Sequence, residues 1–195
     1  MSLPNAITLS RIPLMFVIVW LMYQGWPGAA SLAFWFFIAG AIGDWFDGYL
    51  ARTRGQVSNF GKLMDALTDK IMVVGLIIAF VGQGRDIPLA LALITLCREF
   101  LVTGMRMVAA SKGVIVAADS GGKSKTVTQL IALGFLLAGP MVGRDWVRLV
   151  PWDLSLLTLW TYRCGRWIFW VGTALAVWSG WRYIARHKEI VFADS

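Results

Sequence analysis

The chain has 195 residues, of which 58% are hydrophobic and only 15% charged, with a formal net charge of +7. Soluble domains carry about 45–50% apolar and about 25% charged residues, so there is too little polar surface here to cover a water-soluble globule. At roughly 20 apolar residues per membrane span, the length fits about six spans and leaves no room for a separate catalytic or cofactor-binding domain. The sequence therefore predicts an all-α, integral membrane bundle of six transmembrane helices, a single domain over residues 1–195. The basic excess fits cytoplasmic loops facing anionic lipid. No basic run interleaved with exposed aromatics points to nucleic acid.

In chain order, the N-terminus lacks the basic start and small-residue cleavage site of a secretory signal. It reads as a short juxtamembrane segment carrying Asn5, Thr8 and Arg11. The first span covers 13–24, with its helix starting nearer Ile7, and the second covers 30–51 after the breaker-rich link 25–28. The third covers 63–81, and the link 82–86 separates it from the fourth at 88–110. A loop over 120–125 precedes the fifth at 127–142, and the sixth runs over 167–184. The stretch 145–161, with Trp146, Trp152 and Trp160, reads as an external segment at headgroup depth. Small residues such as Gly40 and Gly43 read as helix-packing contacts. Cys97 and Cys164 lie in separate apolar stretches without the spacing of a disulfide framework or a zinc site.

Lys and Arg are concentrated on one side, where Arg11, Arg52, Lys62, Lys123 and Arg186 are among ten, against three to five on the other. The positive-inside rule then places both termini in the cytoplasm of a multi-pass protein.

Ionisable residues within spans are costly and mark function by default. Asp44 and Asp47 fall near the cytoplasmic end of the second span, and Asp65 and Asp69 near the start of the third. Spacings of three and four put each pair on one helix face. The two helices, joined by about ten residues, run antiparallel, so both faces meet just inside the cytoplasmic boundary. Four carboxylates at one point repel one another unless cations are present. They suit hard ions such as Mg²⁺, Mn²⁺ or Ca²⁺, and four can hold two ions for phosphoryl transfer. Salt bridges to Arg52, Arg54, Lys62 and Lys70, or a cation pathway, are the alternatives. Gly48 and Ala51, about one turn along, leave a slot for a flat base or a diphosphate. Arg52 supplies a charge-assisted donor to phosphate oxygens.

The full string is Asp44-x-x-Asp47-Gly48-x-x-Ala51-Arg52, eight residues, then Gly61-x-x-x-Asp65-x-x-x-Asp69. At every fixed position it resembles the signature of the CDP-alcohol phosphatidyltransferases, a family whose six-helix layout also matches. The resemblance implies that Asp44 and Asp65 bridge two divalent cations (Mg²⁺ or Mn²⁺) while Asp47 and Asp69 complete one each. It also implies that Asp69 is the base for the attacking hydroxyl. By the same resemblance, CDP-diacylglycerol is held by Asn5, Thr8, Gly48, Ala51, Arg52, Ser58 and Gly61, CMP is released, and the protein is a homodimer of a bacterial inner membrane.

The acceptor is read from the second half. Arg98 and Arg106, eight residues apart in the fourth span, lie within about 80° of each other. Two arginines inside a span need an anion, although Glu99 can neutralise one. The run 121–126 then opens the fifth helix, and its backbone N–H groups with Lys123 and Lys125 suit a phosphate. Positive-inside anchors and a helix cap are the bland alternative. The strings around Arg98-Glu99-Phe100, Gly104-Met105-Arg106 and Gly122-Lys123-Ser124-Lys125-Thr126 are similar to the bacterial branch of the family that uses sn-glycerol 3-phosphate. Inositol phosphate, serine and phosphatidylglycerol are the alternative acceptors, and a non-enzymatic cation carrier is the rival of a different class. The lone His187, in the basic tail, is poorly placed for nucleophilic chemistry.

Overall fold

The computed structural model describes the backbone of residues 3–53, 59–84, 86–111 and 120–192, and side chains at all of these except 3–8, 44–53, 59–66, 69, 110–111, 120–123 and 187–192. Six α-helices account for nearly all of it: α1 (Leu3–Met22), α2 (Ala29–Thr53), α3 (Asn59–Gly82), α4 (Leu89–Ser111), α5 (Ser120–Pro140) and α6 (Ser155–Phe192). The shortest, α1, has 20 residues and so spans about 30 Å, the thickness of a hydrocarbon core. Tight turns set the links. Gly28 and Gly84 adopt φ of +94° and +67°, where a side chain would be strained.

Helix α1 packs on α2 and α3, α2 leans on α5, and α6 runs along both α5 and α4. Ile18, Leu76, Ile77, Leu133 and Leu136 meet at the centre with no exposed surface. The outward faces are as apolar as the core. Phe16, Trp35, Ile78, Phe100, Phe135 and Trp167 point away from the bundle on their six helices. Such a surface suits lipid rather than water. Among the described residues, Ser124–Arg148 is long and apolar enough to cross a membrane, whereas Leu9–Met22, Ala29–Gly43 and Lys70–Gly82 are shorter apolar runs. Helix α4 is interrupted by Arg98, Glu99 and Arg106, and the cost of the first two charges is met by their pairing inside the bundle.

Several sequence expectations need correction. The juxtamembrane segment is not separate, because α1 is helical from Leu3 and continues through Pro13. Residues 120–125 are the first turns of α5 rather than a loop. Only residues 54–58 lie between α2 and α3, half the expected link. The largest difference is α6, which begins at Ser155 instead of Trp167 and has 38 residues, about 57 Å. Arg163 and Arg166 break its hydropathy without breaking the helix. The expected external segment is thus a π-helical turn (Met141–Asp145), a 3-10 turn (Trp146–Arg148), a short link and the first turns of α6. In that link, hydrogen bonds from Ser155, backbone first and side chain second, hold the Asp153 carboxyl below the usual carboxylate range.

The π turn has a structural task. It aims the buried Asp145 at the start of α2, where one carboxylate oxygen accepts from Ser31 N and Ser31 Oγ, each at 2.7 Å. A residue 114 positions away therefore caps α2. Asp145→Ala is expected to destabilise the fold by about 1–3 kcal/mol, since it removes a helix cap and two charge-assisted hydrogen bonds. Thermal unfolding in detergent checks this, and an unchanged midpoint would show that α2 is capped by solvent instead.

Candidate functional site

The motif aspartates fall on α2 and α3, two helices that both pack on α1 and approach each other at Gly40. A Cβ placed on Gly40 would lie 2.8 Å from Met72 Cε on α3 and 3.0 Å from Leu14 Cδ2 on α1. Glycine at that position lets three helices close. The sequence reading of Gly40 as a packing contact agrees with this approach. Asp44 follows Gly40 by one turn of α2, and Asp69 precedes Met72 by about one turn of α3. With a link of five residues, the helices are antiparallel and the two aspartate pairs share one end of the bundle. Asn5 and Thr8 fall on the first turns of α1, Gly48, Ala51 and Arg52 on the last turns of α2, and Gly61 on the first turn of α3. The side chains of these residues and of the four aspartates lie outside the described set, as does Ser58 altogether.

A second group of polar side chains lies beside this end. Lys70, next in sequence to Asp69, donates to Thr103 Oγ1 on α4, and Thr103 Oγ1 in turn donates to the Glu99 carbonyl at 2.7 Å. The aspartate helix is therefore tied to the helix that carries Arg98 and Arg106. The two arginines differ in what surrounds them. Arg98 is spent inside the protein: Nε donates to the Ala176 carbonyl at 3.0 Å, Nη2 to Ser179 Oγ at 2.8 Å and Nη1 to Glu99 Oε1 at 2.9 Å. Gly180 makes room for it, since a Cβ there would come within 3.0 Å of Arg98 Cγ. Lys125, buried on the second turn of α5, ion-pairs with the same Glu99 oxygen. One carboxylate thus serves two cations, which joins α4, α5 and α6.

Arg106 has no such acid. Its guanidinium lies over the ring of Tyr183, 5.5 Å from the centroid, and its buried Nε has no hydrogen-bond partner. Two turns C-terminal to Arg98 on α4, it is the cation of this group that the described residues leave unneutralised. The side chain of Lys123 lies outside the described residues, and its backbone is on the first turn of α5. Arg98 and Lys125 thus meet on Glu99, whereas Arg106 lies two turns farther along α4 against Tyr183 of α6. Thr103, Ser179 and Tyr183 also take part, although no sequence pattern singled these three out, and Lys70, read from sequence as a salt-bridge partner of the aspartates, donates to Thr103. Glu99, adjacent to Arg98 in an otherwise apolar helix, was the one visible signal, but its pairing with both Arg98 and Lys125 was not.

Chemically, this end of the bundle carries four aspartates whose carboxylates suit hard cations and, on the neighbouring helices, a group of basic residues of which Arg106 has no acid partner among the described residues. Comparison with known proteins identifies the family. The CDP-alcohol phosphatidyltransferase family matches residues 1–178. The CDP-diacylglycerol–glycerol-3-phosphate 3-phosphatidyltransferase of Bacillus subtilis is 36% identical, with 96% of each chain covered. The protein of the same name from Rickettsia bellii is 32% identical over the same shares. A cardiolipin synthase (CMP-forming) of Oryza sativa subsp. japonica is 31% identical over 92% of this chain and 55% of its own. With motif, helix order and near-complete coverage in agreement, the chain belongs to the CDP-alcohol phosphatidyltransferase family.

Proposed function

We propose that this chain is a phosphatidylglycerophosphate synthase, transferring the phosphatidyl group of CDP-diacylglycerol to sn-glycerol 3-phosphate with release of CMP. The observation that carries the reading is the tie from Lys70 to Thr103, which sets the aspartate helix beside a cationic pocket containing an unneutralised Arg106. A phosphorylated acceptor gives that pocket its anion, whereas serine or a free alcohol leaves buried positive charge uncompensated. The names of the bacterial relatives agree with this acceptor. Family membership sets aside the cation-carrier alternative.

The family is membrane-bound and generally uses a divalent metal. Four carboxylates fit that requirement by their chemistry, and in this reading Asp44, Asp47, Asp65 and Asp69 hold two ions, Mg²⁺ or Mn²⁺. When bound, such ions stabilise the charge that develops on the diphosphate as CMP departs. The protein's own residues do the rest. Asn5, Thr8, Gly48, Ala51, Arg52, Ser58 and Gly61 hold the nucleotide end of the donor, and its acyl chains stay in lipid. Arg106, with Lys123 and Lys125, holds the acceptor phosphate, and Arg98 braces the pocket against α6. The free hydroxyl attacks the phosphorus bearing the diacylglycerol, the bond from that phosphorus to the CMP oxygen breaks, and the hydroxyl proton passes to Asp69. One displacement suffices, so no covalent enzyme intermediate is needed. The excess of Lys and Arg at this end puts the chemistry on the cytoplasmic face.

The test is CMP release from CDP-diacylglycerol by purified protein in detergent. Release is expected only when glycerol 3-phosphate and a divalent cation are both present, and chelation should stop it. Release that needs no divalent ion, or that glycerol 3-phosphate does not stimulate, contradicts the proposal.

The nucleotide slot has its own test. Gly48→Leu is expected to weaken CMP or CDP binding at least tenfold, about 1.4 kcal/mol, by filling the space the base or diphosphate needs. Leucine is the better helix former, so the unfolding midpoint should be unchanged or raised. Calorimetric titration reads the first quantity. Unaltered affinity would place the donor elsewhere.

A further inference from the structure

The end of the bundle opposite the aspartates holds a second cationic cavity. Ser31 precedes Asp44 by 13 positions on α2, about 20 Å along the axis. There the α1–α2 turn, with Gln24 and Trp26, faces the π and 3-10 turns that follow α5, and the two enclose about 210 Å³. Arg144, Asp145 and Arg148 line it.

The charges in this cavity do not cancel locally. Asp145 is the acid on its wall; its carboxylate caps α2 through Ser31 N and Ser31 Oγ and also attracts Arg144, so it offsets one of the two positive charges and leaves one over. Arg144 Nη1 reaches only the Gln24 carbonyl, at 3.5 Å, the outer limit of a hydrogen bond. Arg148 makes no hydrogen bond or ion pair among the described residues. The guanidinium groups of Arg144 and Arg148, both exposed, therefore line one small open cleft with few hydrogen bonds to the described residues. Paired guanidinium forks match the oxygens of a phosphate. The volume is below the roughly 300–1,000 Å³ of pockets for drug-sized ligands. It suits a headgroup-sized anion and is too small for a nucleotide. Trp26, Trp146 and Trp152 are exposed around this end, as aromatic side chains are at headgroup depth. Arg144 and Asp145 are both on the π turn, and such turns recur at functional sites.

We propose that this cavity is a phosphate-anion site, distinct from the catalytic end, in which Arg144 and Arg148 hold the phosphate of an anionic phospholipid headgroup or a soluble phosphate. It does not depend on which alcohol the enzyme accepts.

The experiment compares the wild-type full chain with the Arg144→Gln/Arg148→Gln double variant in nonionic detergent, by thermal unfolding. The probes are phosphatidylserine, phosphatidylcholine and inorganic phosphate, the last against chloride at equal ionic strength. Subtracting the variant's shift removes binding at the catalytic end, which both proteins share. Phosphatidylserine is expected to raise the wild-type midpoint by at least ~3 °C more than phosphatidylcholine does, and the double variant should lose most of that difference. If inorganic phosphate alone reproduces the wild-type shift and the variant loses it, the site stands and its ligand is soluble phosphate. Arg144→Lys/Arg148→Lys should keep part of the response. CMP release in zwitterionic detergent should stay within about twofold in all of them, showing that the variants are folded. Equal shifts in wild type and double variant, or no shift with any probe, overturns the proposal.

Discussion

Asp44→Asn or Asp65→Asn is expected to lower phosphatidyl transfer at least ~10³-fold, on the order of 4 kcal/mol in transition-state stabilisation. In the proposed arrangement Asp44 and Asp65 would help hold the divalent cations, so either substitution would remove a carboxylate ligand from the metal centre. Asparagine keeps the size and the helix position, and the packing of Gly40 against Met72 and Leu14 is a turn away. The unfolding midpoint should therefore hold while the rate collapses. Activity within tenfold of wild type in a folded variant would sink the two-metal arrangement.

Arg106→Gln is expected to carry the second-largest effect, a loss of about 10–150-fold in kcat/KM for glycerol 3-phosphate, or about 1.5–3 kcal/mol for one charge-assisted contact. The loss should appear mainly in KM, with CMP affinity unchanged because the donor residues lie on α1, α2 and α3. Arg98→Gln should behave differently. Its guanidinium ties α4 to α6 through Ala176 and Ser179, and its removal leaves Glu99 with Lys125 alone. A lowered unfolding midpoint should accompany any change in KM. Steady-state kinetics and melting curves on the two variants separate the roles. If Arg106→Gln leaves KM for glycerol 3-phosphate untouched, the acceptor phosphate is held elsewhere.

The contrast between these arginines shows what a sequence can and cannot convey. Hydropathy located all six helices, and helical spacing put each aspartate pair on one face, because both are local properties of the chain. The antiparallel course of α2 and α3 followed from the shortness of their link. Long-range pairing had no such signal. Arg98 and Arg106 look alike as charges in an apolar run, yet one meets Glu99, Ala176 and Ser179 while the other, among the described residues, meets the Tyr183 ring. Asp145 reads as an ordinary loop residue until the π turn carries it to Ser31. Helix α6 was cut short because Arg163 and Arg166 interrupt its apolar pattern, although the helix needs only backbone hydrogen bonds to continue past them.

The acceptor is the centre of the functional proposal, and direct competition tests it. Purified enzyme with CDP-diacylglycerol and a divalent cation is given equal concentrations of glycerol 3-phosphate, inositol phosphate, serine and phosphatidylglycerol, and the lipid products are identified by mass. A pocket with an unneutralised guanidinium should select the phosphorylated three-carbon acceptor, so phosphatidylglycerophosphate should dominate by at least tenfold. A mixture led by phosphatidylserine, cardiolipin or an inositol lipid would leave the family assignment standing and contradict the proposed product.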